Sequence, residues 1–153
     1  MKKANKAAME KHHDIRPEDY DLVISHYKNL ITRNENVIDA YNNMGFIYIE
    51  KEEYEEALKC FLKILEMTPE TAGTLNNVGY VYEKLDRPDM ARHYYEKALS
   101  VDAGNLEAHI NIGHLYELQG NYHEALKQYK KAVAMAPDND TPRFCLAVLY
   151  DTH

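Results

Sequence analysis

YNNMGFIYIEKEEYEEALKCF, residues 41–61, is echoed by LNNVGYVYEKLDRPDMARHYY at 75–95 and by HINIGHLYELQGNYHEALKQY at 109–129. Gly45, Gly79 and Gly113 recur every 34 residues, and each is followed three places later by a tyrosine: Tyr48, Tyr82 and Tyr116. A fixed period of this length marks a chain built from small units, each of which needs a neighbour to cover its apolar face.

With the glycine numbered as position 8, the full periods are 38–71, 72–105 and 106–139. Positions 4, 7 and 11 hold Tyr41, Met44 and Tyr48, then Leu75, Val78 and Tyr82, then His109, Ile112 and Tyr116. Steps of three and four put them on one face of a first helix, A. Positions 20, 24 and 27 hold Ala57, Phe61 and Ile64, then Ala91, Tyr95 and Ala98, then Ala125, Tyr129 and Ala132, the apolar stripe of a second helix, B. The fold class expected is therefore all-α. A glycine inside a helix costs about 1 kcal/mol against alanine. The alanines twelve residues later are read as its partners, small residues that let A and B approach closely. Asp86-Arg87-Pro88 and Gly120-Asn121 break the pattern at one offset, Gly120 suiting a left-handed helix end and Asn121 with Glu124 a capping box. IEKEEYEEALK in the first period is locally compatible with unbroken helix, and only the period argues for a turn there.

The 153 residues carry a net charge of −7, with 45% apolar and 28% charged residues. Residues 1–16 hold five basic side chains against Glu10 and Asp14, a net of +3, so the remainder carries −10. An acidic body argues against nucleic acid or anionic membrane as a partner. Cys60 and Cys145 form no framework or CxxC pattern and read as reduced thiols in a cytoplasmic setting. No run of about 18 apolar residues occurs, so no membrane insertion is expected.

YNNMGFIY…EEALKCF…TP, LNNVGYVY…DMARHYY…DA and INIGHLY…HEALKQY…AP resemble the tetratricopeptide repeat. Ala103, where that family usually has proline, and Pro88, where it usually has an aromatic residue, depart from it. The resemblance implies an α-solenoid of stacked antiparallel helix pairs, a right-handed superhelix whose concave surface is lined by A helices. It implies a non-enzymatic adaptor or scaffold binding an extended or helical peptide there. Residues 17–37 continue the register backwards as a degenerate capping repeat, with Tyr20, Val23, Tyr27 and Leu30 on a B helix. Lys11 falls where its glycine belongs, and 1–16 is read as a basic arm.

Positions facing away from the buried stripe define the expected peptide site. Position 6 gives Asn43, Asn77 and Asn111, a column of carboxamides, each with a donor and an acceptor for peptide backbone. It resembles the asparagine ladder of the O-GlcNAc transferases. Position 5 adds Asn42, Asn76 and Ile110, and position 9 adds Phe46, Tyr80 and His114, rings beside amides in an amphipathic trough. Charge along this surface is Asp39, Glu50, Glu83, Glu107 and Glu117 against Lys84, which favours a neutral or basic ligand over an acidic one. The subclass that grips Hsp70 and Hsp90 C-terminal tails uses lysine, arginine and asparagine at set positions. Asn42, Phe46, Glu107 and Asn111 stand at four of them and only Asn77 fits, so those tails are expected to be unlikely partners.

Residues 140–153 supply a partial repeat or C-terminal cap, with Leu146, Ala147 and Tyr150 at positions 7, 8 and 11. Phe144, Val148 and Leu149 make it apolar for an end. They are candidates for self-association, and the alternative function is a structural scaffold, a homo-oligomer joined through this helix or the basic arm. Chemistry finds no foothold. His12-His13 lies in the arm, His109 and His114 diverge on a helix, and His123-Glu124 meets Lys127 where a zinc motif needs histidine. No enzyme activity, cofactor or metal is expected.

Overall fold

The computed structural model describes residues 15–152. The described residues are helical, without strands, and fall into two compact units, Met1–Glu70 and Thr71–His153. In the first, a short 3-10 turn, Pro17–Asp19, leads into α1 (Tyr20–Thr32), followed by α2 (Val37–Glu50) and α3 (Tyr54–Met67). The second holds α4 (Ala72–Lys84), α5 (Pro88–Val101), α6 (Leu106–Leu118), α7 (Tyr122–Met135) and α8 (Asp140–Thr152). Helices α2, α4, α6 and α8 are A helices, and α1, α3, α5 and α7 are B helices. Lys11 and the pair His12-His13 lie outside the described residues.

The A-to-B turn is the same in all three periods. Position 15 is left-handed whatever residue stands there: Glu52 at φ 59°, Asp86 at φ 55° and Gly120 at φ 74°. The next N–H reaches back to the position-11 tyrosine carbonyl, Glu53 to Tyr48 at 2.8 Å, Arg87 to Tyr82 at 2.9 Å and Asn121 to Tyr116 at 2.8 Å. Those bonds satisfy carbonyls that the helix end leaves open. The ambiguous first-period stretch is thus broken at Glu52. A left-handed non-glycine residue costs about 1 kcal/mol, so Glu52→Gly is expected to raise stability by roughly 0.5–1 kcal/mol. A urea midpoint equal to or below wild type would contradict this.

The expected capping box does not form, since the Asn121 side chain makes no cap hydrogen bond. Among the described residues side-chain caps occur instead at three A helices. Thr71 Oγ1 accepts from the Thr74 N–H at 3.2 Å, Asn105 Oδ1 accepts from the Ala108 N–H at 2.9 Å, and at α8 Asn139 Oδ1 accepts from the Thr141 N–H at 3.0 Å.

The glycines meet an aromatic ring that the pairing with alanine did not include. A Cβ on Gly45 would lie 2.6 Å from the Phe61 ring, on Gly79 2.6 Å from the Tyr95 ring, and on Gly113 2.5 Å from the Tyr129 ring. The position-24 ring comes nearest to the space that the missing side chain leaves, and at Gly79 the Ala91 carbonyl oxygen at position 20 also borders it, 3.2 Å away. Ala57, Ala91 and Ala125 are fully buried beside these rings.

Candidate functional site: the helix-A face

Two of the position-24 rings carry a hydroxyl into the interior, and a buried hydroxyl needs a partner. The Tyr95 hydroxyl donates to Glu83 Oε2 at 3.1 Å, and the Tyr129 hydroxyl donates to Glu117 Oε2 at 2.8 Å. Both carboxylates stand at position 12 of their A helix. In the first period Phe61 replaces tyrosine and Ile49 replaces glutamate, so the polar pair is absent from both sides at once. Burial and the facing carboxylate raise the pKa of both tyrosines. Sequence reading named neither tyrosine as a determinant of the site, yet the matched change at positions 12 and 24 is visible in the letters.

In the second unit, the remaining oxygen of Glu83 meets His114 Nδ1 of α6 at 3.1 Å. The Glu83 side chain is only 11% exposed. Its hydrogen bond raises the His114 pKa above the usual 6.5 against partial burial, with Glu117 assisting and Lys84 opposing. A histidine whose folded pKa lies above its unfolded one contributes stability that is complete below about pH 6.5 and fades as pH rises through the folded value. The stability difference between wild type and His114→Gln is therefore expected to be greatest near pH 5.5 and smallest near pH 8.5. It should stay below about 1 kcal/mol, because the imidazole is half exposed. Urea unfolding at the two pH values checks this, and a difference that grew with pH would contradict it.

The amides are not equivalent. Asn111 Nδ2 of α6 donates to Asn76 Oδ1 of α4 at 3.0 Å. Asn76 is buried, whereas Asn111 is half-buried. This bond fixes the Asn111 carboxamide and leaves it one N–H and the carbonyl oxygen. Asn77 on α4 is half-buried as well. Above it in the helix, Lys84 Nζ lies over the Tyr80 ring at 5.2 Å from the centroid, within cation–π range. Ile110 packs on the cluster of Ala125, Tyr129 and Leu149, and Glu107 is exposed.

In the first unit, Asn42 and Asn43 are half-buried, and Asn43 hydrogen-bonds with the Tyr27 hydroxyl of α1. Phe46, expected among the ligand-facing rings, is only 8% exposed and packs edge-on against Phe61 with centroids 5.5 Å apart. Asp39 and Glu50 are exposed. Of the residues considered for self-association, Leu149 is buried against Ala125 and Tyr129, because position 10 of α8 faces α7. Val148 is half-buried and Phe144 is 69% exposed.

Among the described residues no group of three or more His, Cys, Asp or Glu is placed to hold a metal ion. His109 instead fills a core position, its ring nitrogens meeting Gln128 Oε1 at 2.8 Å and the Ala103 carbonyl at 3.2 Å. Burial pushes the Cys60 thiol up to about 12, so it is protonated at neutral pH. No described helix is long and apolar enough to cross a membrane.

Several solved structures share this fold. MamA aligns with a TM-score of 0.76 at 17% identity, over 94% of this chain and 83% of its own. YrrB, a tetratricopeptide-repeat protein with an unusual peptide-binding site, aligns with a TM-score of 0.66 at 24% identity, over 88% and 70%. The second repeat domain of human RPAP3, in complex with an HSP70 peptide, aligns with a TM-score of 0.64 at 18% identity, over 72% and 92%. The first repeat domain of Spaghetti (RPAP3), bound to an HSP90 peptide, gives 0.68 at 19% identity, over 75% and 91%. No curated protein matches the chain.

These complexes correct the partner expectation. Two structures of the same fold hold Hsp70 and Hsp90 peptides, which overturns the expectation that those tails are unlikely partners. The preference for a neutral or basic ligand falls with that exclusion. Its physical basis was also weaker than the letters suggested, since Glu83 and Glu117 direct oxygens inward to Tyr95 and Tyr129. The tetratricopeptide-repeat profile matches residues 36–104 and 70–138, well over half of the sequence, and the chain belongs to that family.

Proposed function

We propose that this chain is a non-enzymatic interaction module that holds an extended segment of another protein on the helix-A face of the Thr71–His153 unit. Asn77 and Asn111 meet the segment's backbone, and Tyr80, Lys84 and His114 contact its side chains. The periods 38–71, 72–105 and 106–139 are the repeats of this module, with 17–37 and 140–153 as partial ones.

The observation that carries this reading is the bond from Asn111 to buried Asn76. A surface asparagine without a task is free to turn, whereas this one is held from beneath with a donor and an acceptor left over. Family membership supports the reading, because a repeat stack presents the same helix face at regular intervals. Its test is Asn77→Ala with Asn111→Ala in one chain, read out as affinity for peptides selected by display on wild type. Equal affinity for both proteins would remove the amides from the mechanism.

A further inference from the structure

Helix α6 stands between two other A helices, preceded by α4 and followed by α8, and the His114 side chain at its position 9 is still 49% exposed. The ring is tied at one nitrogen. Nδ1 lies 3.1 Å from Glu83 Oε1, and among the described residues Nε2 has no hydrogen-bond partner. His109 on the same helix is the contrast, with both ring nitrogens engaged inside the fold by Gln128 and the Ala103 carbonyl. Glu83 is itself held, since its other oxygen accepts the Tyr95 hydroxyl at 3.1 Å.

That arrangement fixes which nitrogen carries the proton. A carboxylate only accepts, so the hydrogen of this bond sits on Nδ1 whether the ring is neutral or charged. Nε2 therefore presents a lone pair in the neutral ring and an N–H in the charged one. A ligand hydroxyl or carboxamide can donate as well as accept, and is served by either state. A ligand carboxylate is not, because it meets a lone pair in the first state and a charge-assisted hydrogen bond in the second. The charges bearing on the ring are Glu83 and Lys84 from α4 and Glu117 from α6 itself. Glu83 and Glu117 also receive the Tyr95 and Tyr129 hydroxyls from α5 and α7. On α8, burial pushes the Cys145 thiol up, and Asp151 is exposed at position 12. Binding a carboxylate at Nε2 thus draws a proton from solvent and weakens as pH rises through the range of the imidazole. The Glu83 bond places that range above the usual 6.5.

We infer that His114 is a specificity-determining residue of the peptide site, whose Nε2, with Nδ1 held by Glu83, donates to an Asp or Glu side chain of the bound segment. The inference rests on the peptide-binding reading above. It adds that the segment carries a carboxylate and is taken up together with a proton.

Histidine-free 12-residue peptides are selected by display on the whole protein at pH 6, and those lost when Asn77 and Asn111 are both alanine are kept. They are made with amidated C-termini, and their affinities are measured by calorimetry at pH 6 and pH 8.5 at constant salt. Wild type should bind about tenfold more tightly at pH 6, with proton uptake seen as a dependence of the heat on buffer ionisation enthalpy. His114→Gln keeps a donor without a titration, so its affinity should change less than about threefold between the two pH values. One Asp or Glu of the peptide, changed to Asn or Gln, should abolish the pH effect on wild type. Imidazole ¹⁵N shifts of the free protein at pH 8.5 should place the His114 proton on Nδ1. Amide-dependent peptides bound equally at both pH values overturn this inference and leave the peptide site standing. So do a pH effect that survives His114→Gln or the loss of every peptide carboxylate, and a proton found on Nε2 at pH 8.5. A library that yields no amide-dependent peptide overturns both readings.

Discussion

Gly79→Leu is expected to lower the stability of the Thr71–His153 unit by about 3 kcal/mol, the upper end of what overpacking a core costs. The cause is specific. A Cβ at Gly79 comes 2.6 Å from Cδ1 and Cε1 of Tyr95 and 3.2 Å from the Ala91 carbonyl oxygen. Tyr95 is fully buried and its hydroxyl is held by Glu83, so the ring cannot move without breaking that bond. The intrinsic helix preference for leucine over glycine, close to 1 kcal/mol, acts in the opposite direction. Steric conflict must therefore exceed it for stability to fall. Tyr95→Ala alone should cost about 3–5 kcal/mol. In the double variant, the introduced leucine side chain enters the vacated space, and the combined loss should be clearly less than the sum. Additive losses in urea unfolding would mean that the ring is not what excludes a side chain at Gly79.

That geometry shows where the sequence stops being readable. Period and helical spacing locate both helices of every repeat, because apolar positions recur in register at Met44, Val78 and Ile112 and again at Ala57, Ala91 and Ala125. They do not say which of positions 20 and 24 lies over the glycine. The separation of the paired helices and the direction of each side chain decide that, and neither is a property of spacing. The first A-to-B turn was hidden for another reason. Lys51, Glu52 and Glu53 all favour or tolerate helix, and the left-handed Glu52 is held by the carbonyls it caps and by the packing of α2 on α3.

The site was legible to a similar depth. The asparagine column can be found by counting two places back from each glycine. Counting does not reveal that Asn111 is held by Asn76, that Asn43 is engaged by Tyr27, or that Phe46 lies inside the α2–α3 packing. The acidic column misled most, because a formal charge says nothing about which way its oxygens point. Glu83 receives Tyr95 and His114, and Glu117 receives Tyr129. The ligand preference drawn from those charges failed with them.

Replacing Asn77 and Asn111 together by alanine is expected to weaken peptide binding roughly 5- to 150-fold. Each amide–backbone hydrogen bond contributes about 0.5–1.5 kcal/mol net, and about 1.4 kcal/mol corresponds to tenfold. Asn76→Ala should weaken binding less than Asn111→Ala, because Asn76 acts only by positioning the Asn111 carboxamide. Asn111→Asp provides a sharper comparison, since it keeps the size but cannot donate when ionised. It should lose at least as much affinity as Asn111→Ala, with part of the loss recovered at low pH. A selected peptide bound equally by wild type and the double alanine variant would show that any recognition proceeds elsewhere.

The most direct measurement is a ¹⁵N-NMR titration of the whole protein with a display-selected peptide, following the side-chain NH2 resonances of asparagine. Saturable shifts of the Asn77 and Asn111 carboxamides are expected, with backbone changes along α4 and α6. Shifts confined to the B helices α5 and α7, with both carboxamides unmoved at saturation, would contradict it.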